Sequence, residues 1–136
     1  MGKHLIQMLF LFCLAGTATA GDMTVIIKGV GVNGGRLYIG LYTDPSEFPD
    51  GEQARGQYLD GNRETIRVVF ADLPEGEVAI AVFQDENPNE ELDTNFLGIP
   101  TEKYGFSGKP ILGEPTFEEA RVMVGSEDQT VIVEMQ

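Results

Sequence analysis

Residues 63–83, RETIRVVFADLPEGEVAIAVF, decide the fold. In the first part Ile66, Val68 and Phe70 fall on one face and Thr65, Arg67 and Val69 on the other. A period of two is the period of a β-strand, not of a helix. Asp72-Leu-Pro-Glu-Gly76 then reads as a tight turn, because Pro presets φ and Gly accepts a reversal. Beyond it, Val78, Ile80 and Val82 alternate with Ala79, Ala81 and Phe83. Both faces of this second segment are apolar, which predicts a central strand covered on both sides.

The same period recurs outward in both directions. Met23–Val30 and Arg36–Thr43 alternate and are joined by Gly31-Val-Asn-Gly-Gly35, so the pair reads as a hairpin. Residues 23–30 carry apolar side chains on both faces and are a second expected central strand. Glu119–Val124 and Thr130–Met135 read as a final hairpin across Gly125–Asp128. No segment sustains a helical period. Glu47–Tyr58 and Thr116–Ala120 have room for a turn or two of helix. About seven short strands with Gly- and Pro-containing turns predict an all-β, antiparallel β-sandwich.

The first twenty residues, MGKHLIQMLFLFCLAGTATA, have the pattern of a secretory signal peptide. Lys3 and His4 precede an apolar stretch, Leu5–Leu14, too short to span a bilayer comfortably, and Ala18-Thr-Ala20 is a small-x-small cleavage site. Cys13 follows Phe10-Leu-Phe12 rather than small residues, which argues against a lipoprotein signal. The expected mature chain is one β-sandwich domain over 21–136, periplasmic or secreted, with no transmembrane segment after cleavage. A domain of that length removes roughly two-thirds of its surface from water.

Cleavage would also remove the only Cys and the only His. Cysteine nucleophiles, Ser–His pairs and zinc sites built on His or Cys are then excluded. With Lys3 gone, 8 basic residues face 22 acidic ones, a net charge of −14. Such a body repels nucleic acid and anionic lipid surfaces and favours cations and basic partners.

From Gln84 to about Pro115 the periodicity is lost. Long aperiodic loops in compact domains are usually functional or disordered, and disordered segments are poor in aromatics. This one contains Phe96, Leu97, Ile99, Tyr104 and Phe106, so one long ordered loop is expected, folded back on the sandwich. The aromatic side chains either fill core space or wall a ligand groove. The loop opens with Asp85, Asn87 and Asn89 at positions one, three and five, and Asp93 at position nine. Calcium takes six to eight oxygens from carboxylates, amides, carbonyls and water, so these four residues are the candidate metal ligands and Ca2+ the candidate cofactor. Against an EF-hand stand Glu90 where Gly is usual, Phe96 where a bidentate Glu would close the site, and the lack of flanking helices. Asx turns alone account for the same residues. A second acidic loop, Thr43–Glu52, places Asp44 and Glu47 after another strand, which raises the prospect of both joining Asp85 at one end of the sandwich. Phe48-Pro49 reads as a plug over the end of the core.

Four stretches together carry a family resemblance: the leader, YIGLYTDPSEFP, FADLPEGEVAIAVFQDEN and LDTNFLGIPTEKYGFS. Over roughly Met23–Met135 the chain resembles the DUF2141 proteins, small bacterial exported proteins of unknown function. The resemblance implies an immunoglobulin- or prealbumin-like sandwich and no established activity. Family members often read D-E-N-G-N-G-x-L-D in the acidic loop. Here Pro88 and Glu90 replace both glycines, a departure that weakens the metal site.

The function expected from all this is a non-enzymatic binding or interaction module, with the acidic loop at 85–93 stiffened by calcium. Its partner would be an envelope or extracellular protein or a glycan, not a nucleic acid. The alternatives are a structural cell-envelope protein and a carboxylate-based glycan hydrolase drafting Asp85 with Asp93 or Asp44.

Overall fold

A computed structural model of the chain describes residues 19–32, 34–86, 102–109 and 113–136. The expected leader, residues 1–20, lies outside them but for Thr19 and Ala20. Among the described residues eight strands and one helical turn run in the order β1 (Thr19–Lys28), β2 (Arg36–Tyr42), β3 (Arg55–Asp60), β4 (Thr65–Pro74), β5 (Gly76–Asp85), β6 (Tyr104–Phe106), α1 (Phe117–Ala120), β7 (Val122–Val124) and β8 (Gln129–Glu134). They form two sheets. One has the order β4-β1-β8; the other has the order β3-β2-β5-β6, with β7 also paired to β5. The fold is the expected all-β sandwich, and both segments with two apolar faces, β1 and β5, are interior strands. Every pairing is antiparallel except β1 with β8, which run parallel from Met23↔Gln129 to Lys28↔Glu134.

The alternation puts one apolar row from each strand between the sheets. Val25, Ile27, Leu37, Ile39, Phe70, Ile80, Val82 and Val133 are at most 1% exposed there. Each such side chain contributes about 1.5–3 kcal/mol by leaving water. No disulfide is needed to hold this core.

Both local hairpins expected from turn residues, 23–30 with 36–43 and 119–124 with 130–135, are corrected, and the tight turn expected at 72–76 joins two sheets rather than two neighbours. β1 belongs to the first sheet and β2 to the second, so Gly29–Gly35 arches across the core. β4 and β5 are separated by Glu75 alone, yet they also lie in different sheets; the chain turns the corner at Gly76, where φ is +143°. β7 pairs with β5 while β8 pairs with β1, so residues 125–128 form a third arch. The physical reason is common to all three. Sheets stack only about 10 Å apart, so a few residues suffice to cross, and an arch faces both apolar rows inward as a hairpin between neighbours does. Of the chain-sequential strands, β2 and β3 do form an antiparallel pair, from Arg36↔Asp60 to Leu41↔Arg55. Their loop and β3 itself replace the expected helical turns of 47–58. Thr116–Ala120 does turn once, and Thr116 and Glu119 close a capping box at its start.

Side chains lace the edges. Among the described residues β4 is an edge strand; Gln57 Nε2 donates to Val69 O at 2.8 Å, and Arg55 Nη1 donates to Ala71 O. These bonds occupy carbonyls that would otherwise template another chain. On the far edge of β5, β7 pairs with residues 76–78 and β6 with residues 81–83. Ser107 fills the gap between them. Its Oγ accepts from Ile80 N at 2.7 Å and donates to Ala120 O at 2.7 Å, while its own N donates to Ile80 O at 3.0 Å.

Candidate functional site

The outer face of the five-stranded sheet is not the polar surface that antiparallel sheets usually turn to water. On β5, residues 78, 80 and 82 point into the core, so 79, 81 and 83 point out. Register then assembles rows from distant parts of the chain. Tyr58 pairs with Tyr38, Tyr38 with Phe83, and Phe83 with Tyr104, which makes a row of four aromatics across four strands. Tyr38 stacks on Phe83 with centroids 4.9 Å apart at 8°, and Tyr58 meets Tyr38 at 4.9 Å and 73°. Such contacts contribute about 0.5–1.5 kcal/mol each beyond their burial. Tyr58 remains 58% exposed.

The adjacent row is small: Gly56, Gly40 and Ala81, ending at Phe106. A Cβ on Gly56 would stand 2.1 Å from Gln53 Nε2, and one on Gly40 would stand 2.8 Å from Gln53 Oε1. The Gln53 amide therefore lies on a floor that only glycines leave open. The third row, Tyr42 and Ala79, is covered by Phe48 from the 43–54 loop and Phe117 from α1. The Phe48 ring is 5.4 Å from Tyr42, 5.9 Å from Phe106 and 6.0 Å from Phe117. Phe48 thus plugs this second, smaller apolar cluster on the sheet's outer face and not the end of the main core, a correction set by the outward direction of Tyr42.

Between the aromatic row and the 49–53 loop runs a trench of about 810 Å³, edged by Asp50, Glu52 and Glu114. Local bonds shape its loop wall. Asp44 Oδ1 accepts from Ser46 Oγ at 2.8 Å and Ser46 N at 2.9 Å, and these bonds hold the Asp44 carboxyl below the usual range. Glu47 Oε2 accepts from Glu52 N at 2.7 Å. Burial, then the nearby charges of Asp50 and Glu47, raise the Tyr42 phenol above its ordinary value of 10.0. Unfolding lowers that value, so the unfolded chain releases this proton first as pH rises. Stability linked to Tyr42 is complete below pH 10 and is lost as pH climbs through the higher folded value. Tyr42→Phe should therefore flatten the alkaline fall in melting temperature; an unchanged slope in Tyr42→Phe would show that the phenol does not carry it.

Of the expected metal ligands, Asp85 is the last residue of β5, paired with Arg36 and 3% exposed. Asn87, Asn89 and Asp93 lie outside the described residues, as do Phe96, Leu97 and Ile99. Glu102, 6% exposed, stands beside Asp85's strand end, where its Oε1 accepts from Glu86 N at 3.1 Å. Among the described residues no group of three His, Cys, Asp or Glu side chains is placed to hold an ion. Asp44 and Glu47 do not join Asp85. They follow Tyr42, whereas Asp85 sits opposite Arg36 at the other end of β2, roughly 20 Å away at 3.4 Å per residue. Antiparallel register separates the two loops although both follow strands. Tyr104 and Phe106 are half-buried and do line the trench. Sequence reasoning missed Tyr38, Tyr58 and Phe83 as one surface. The alternation of β3, polar but for Tyr58 and Leu59, was the available signal.

No helix among the described residues is long and apolar enough to cross a membrane. A family model described as an uncharacterized protein conserved in bacteria (DUF2141) matches residues 25–132. No curated protein and no solved structure matches the chain.

Proposed function

The chain belongs to the DUF2141 family of bacterial proteins, and from that premise we propose that it is an exported, non-enzymatic binding module that takes its ligand in the trench on the five-stranded sheet. The observation that carries this is the aromatic row on an outer sheet face, beside a floor where Gly40 and Gly56 leave room for the Gln53 amide. Open apolar surface of this kind marks interaction sites. Export rests on the leader pattern of residues 1–20. A non-enzymatic role is supported by the loss of the only His and Cys with that leader. Glycoside hydrolysis needs two carboxyl groups about 5–9.5 Å apart, which Asp44 and Asp85 cannot supply. Amide chemical-shift mapping of the mature protein against neutral oligosaccharides and peptides tests the site. Perturbations should centre on residues 38–42, 56–58 and 81–83. Ligands that shift only other regions, or that are turned over, would overturn the proposal.

A calcium ion on Asp85, Asn87, Asn89 and Asp93 is the accompanying proposal. It is favoured by two buried acids, Asp85 and Glu102, at the two feet of the 86–102 segment. Calcium at a hundredfold excess over Kd should then stabilise the metal-stripped protein by about 2.7 kcal/mol, an effect that Asp85→Asn abolishes. Titration without heat and without a change in melting temperature would remove the ion from the account.

A further inference from the structure

The trench has a sign. Three carboxylates, Asp50, Glu52 and Glu114, edge it, and no Lys or Arg is among the described residues that line it. Arg36, on the same face of β2, stands 4.0 Å from Asp60, and Lys109 lines a separate pocket beyond Phe106. The other polar side chains among the described lining residues are the Tyr phenols and the Gln53 amide, whose oxygens can accept from a cationic donor. The rings supply an apolar wall for aliphatic stems, the surface along which Lys and Arg side chains lie with their charged heads in water.

The ring geometry also speaks to the ligand. Tyr38 is stacked on Phe83 at 8° and met by Tyr58 at 73°. The rings pack on one another instead of lying flat as an open platform for a sugar ring. The volume falls within the range of about 300–1,000 Å³ common for ligand sites. A net charge of −14 on the expected mature chain draws cations from a distance.

We propose that the trench binds an extended Lys- or Arg-bearing peptide segment of a partner protein, its stems along the Tyr38–Tyr58 wall and its charged heads on Asp50, Glu52 and Glu114. This rests on the trench being the binding site.

Calorimetric titration with an acetylated, amidated hexa-arginine peptide tests it, with hexaglutamate and maltohexaose as the other arms. Two variants separate shape from charge. Gly56→Leu fills the floor, where the only close neighbour is the far end of Gln53. Asp50→Asn with Glu114→Gln removes charge from the edge and keeps its shape. Hexa-arginine should bind, more weakly as salt rises, and both variants should weaken it about tenfold or more. Glu64→Gln with Glu127→Gln, which do not line the trench, should leave binding within about twofold. If Gly56→Leu does not fold, the edge double variant carries the comparison with this distant pair. Equal loss in the edge and distant pairs, or hexa-arginine binding undiminished by Gly56→Leu, would reduce the effect to diffuse charge and overturn the proposal. Binding of maltohexaose instead, abolished by Gly56→Leu, would overturn the peptide and leave the trench as the site. No binding in any arm would overturn it as well.

Discussion

Gln84→Leu should destabilise the protein by about 2 kcal/mol and lower its melting temperature by roughly 5–10 °C. Gln84 is fully buried at the inner end of β5, where the alternation calls for an apolar residue. Its amide closes the end of the sandwich. Oε1 accepts from Gly31 N at 2.9 Å; Nε2 donates to Gly31 O at 2.7 Å and to Gly35 O at 3.2 Å. Leucine is nearly isosteric and gains apolar burial, yet it leaves Gly31 N without its acceptor and takes one of two donors from Gly31 O and from Gly35 O, which keep Gly34 N and Gly61 N. A stranded donor costs about 1–3 kcal/mol, and the two weakened carbonyls add to it, which outweighs the gain. Gln84→Glu separates hydrogen bonding from size. A carboxylate would face two carbonyl oxygens, so its pKa should rise above the unfolded value. The stability of that variant relative to wild type should then be best at acid pH, where the protonated group can donate, and fall as pH rises through the folded pKa. A Gln84→Leu protein as stable as wild type in denaturant unfolding would show that the amide is not the clasp.

Gly35→Ala should cost about 3 kcal/mol or more. Gly35 stands at φ +108°, and a Cβ there would lie 1.9 Å from the backbone O of Asp85. The neighbour is main chain at the end of a central strand, so no rotamer change relieves the clash. The β1–β2 arch and the end of β5 would have to part, and the Gly35 O bonds to Gly61 N and Gln84 Nε2 would go with them. Gly125→Ala is the control: nothing lies within 4 Å of its Cβ, and it should stay within about 0.5 kcal/mol of wild type. A Gly35→Ala protein within that same margin would mean the arch has another path. Both large effects fall at one end of the sandwich, the end where Asp85 and Glu102 lie.

Periodicity was enough to read the layers. By period two Ile66, Val68 and Phe70 share one face, as do Val78, Ile80 and Val82, and these are the rows that meet in the core. Two apolar faces on 23–30 and 77–83 identified interior strands, because a strand flanked on both sides and covered on both faces meets little water. β3 escaped because an edge strand with one face over water needs few apolar residues; Arg55, Gln57 and Asp60 serve it as well as valines would. Gln84 escaped because a single amide inside an apolar row is indistinguishable in sequence from a loop residue.

What the sequence determined by itself is local: which side chains face inward, where the chain reverses, and that no Cys or His remains beyond the leader-like segment. Those follow from steric and hydrophobic preferences acting over a few residues. Which sheet each strand joins was decided only in three dimensions, because an arch and a hairpin bury the same inward row and differ only in partners far along the chain. The aromatic trench is of that second kind. Tyr38, Tyr58, Phe83 and Tyr104 come from four strands and become one surface only through register, a property of pairs of strands that no single segment encodes.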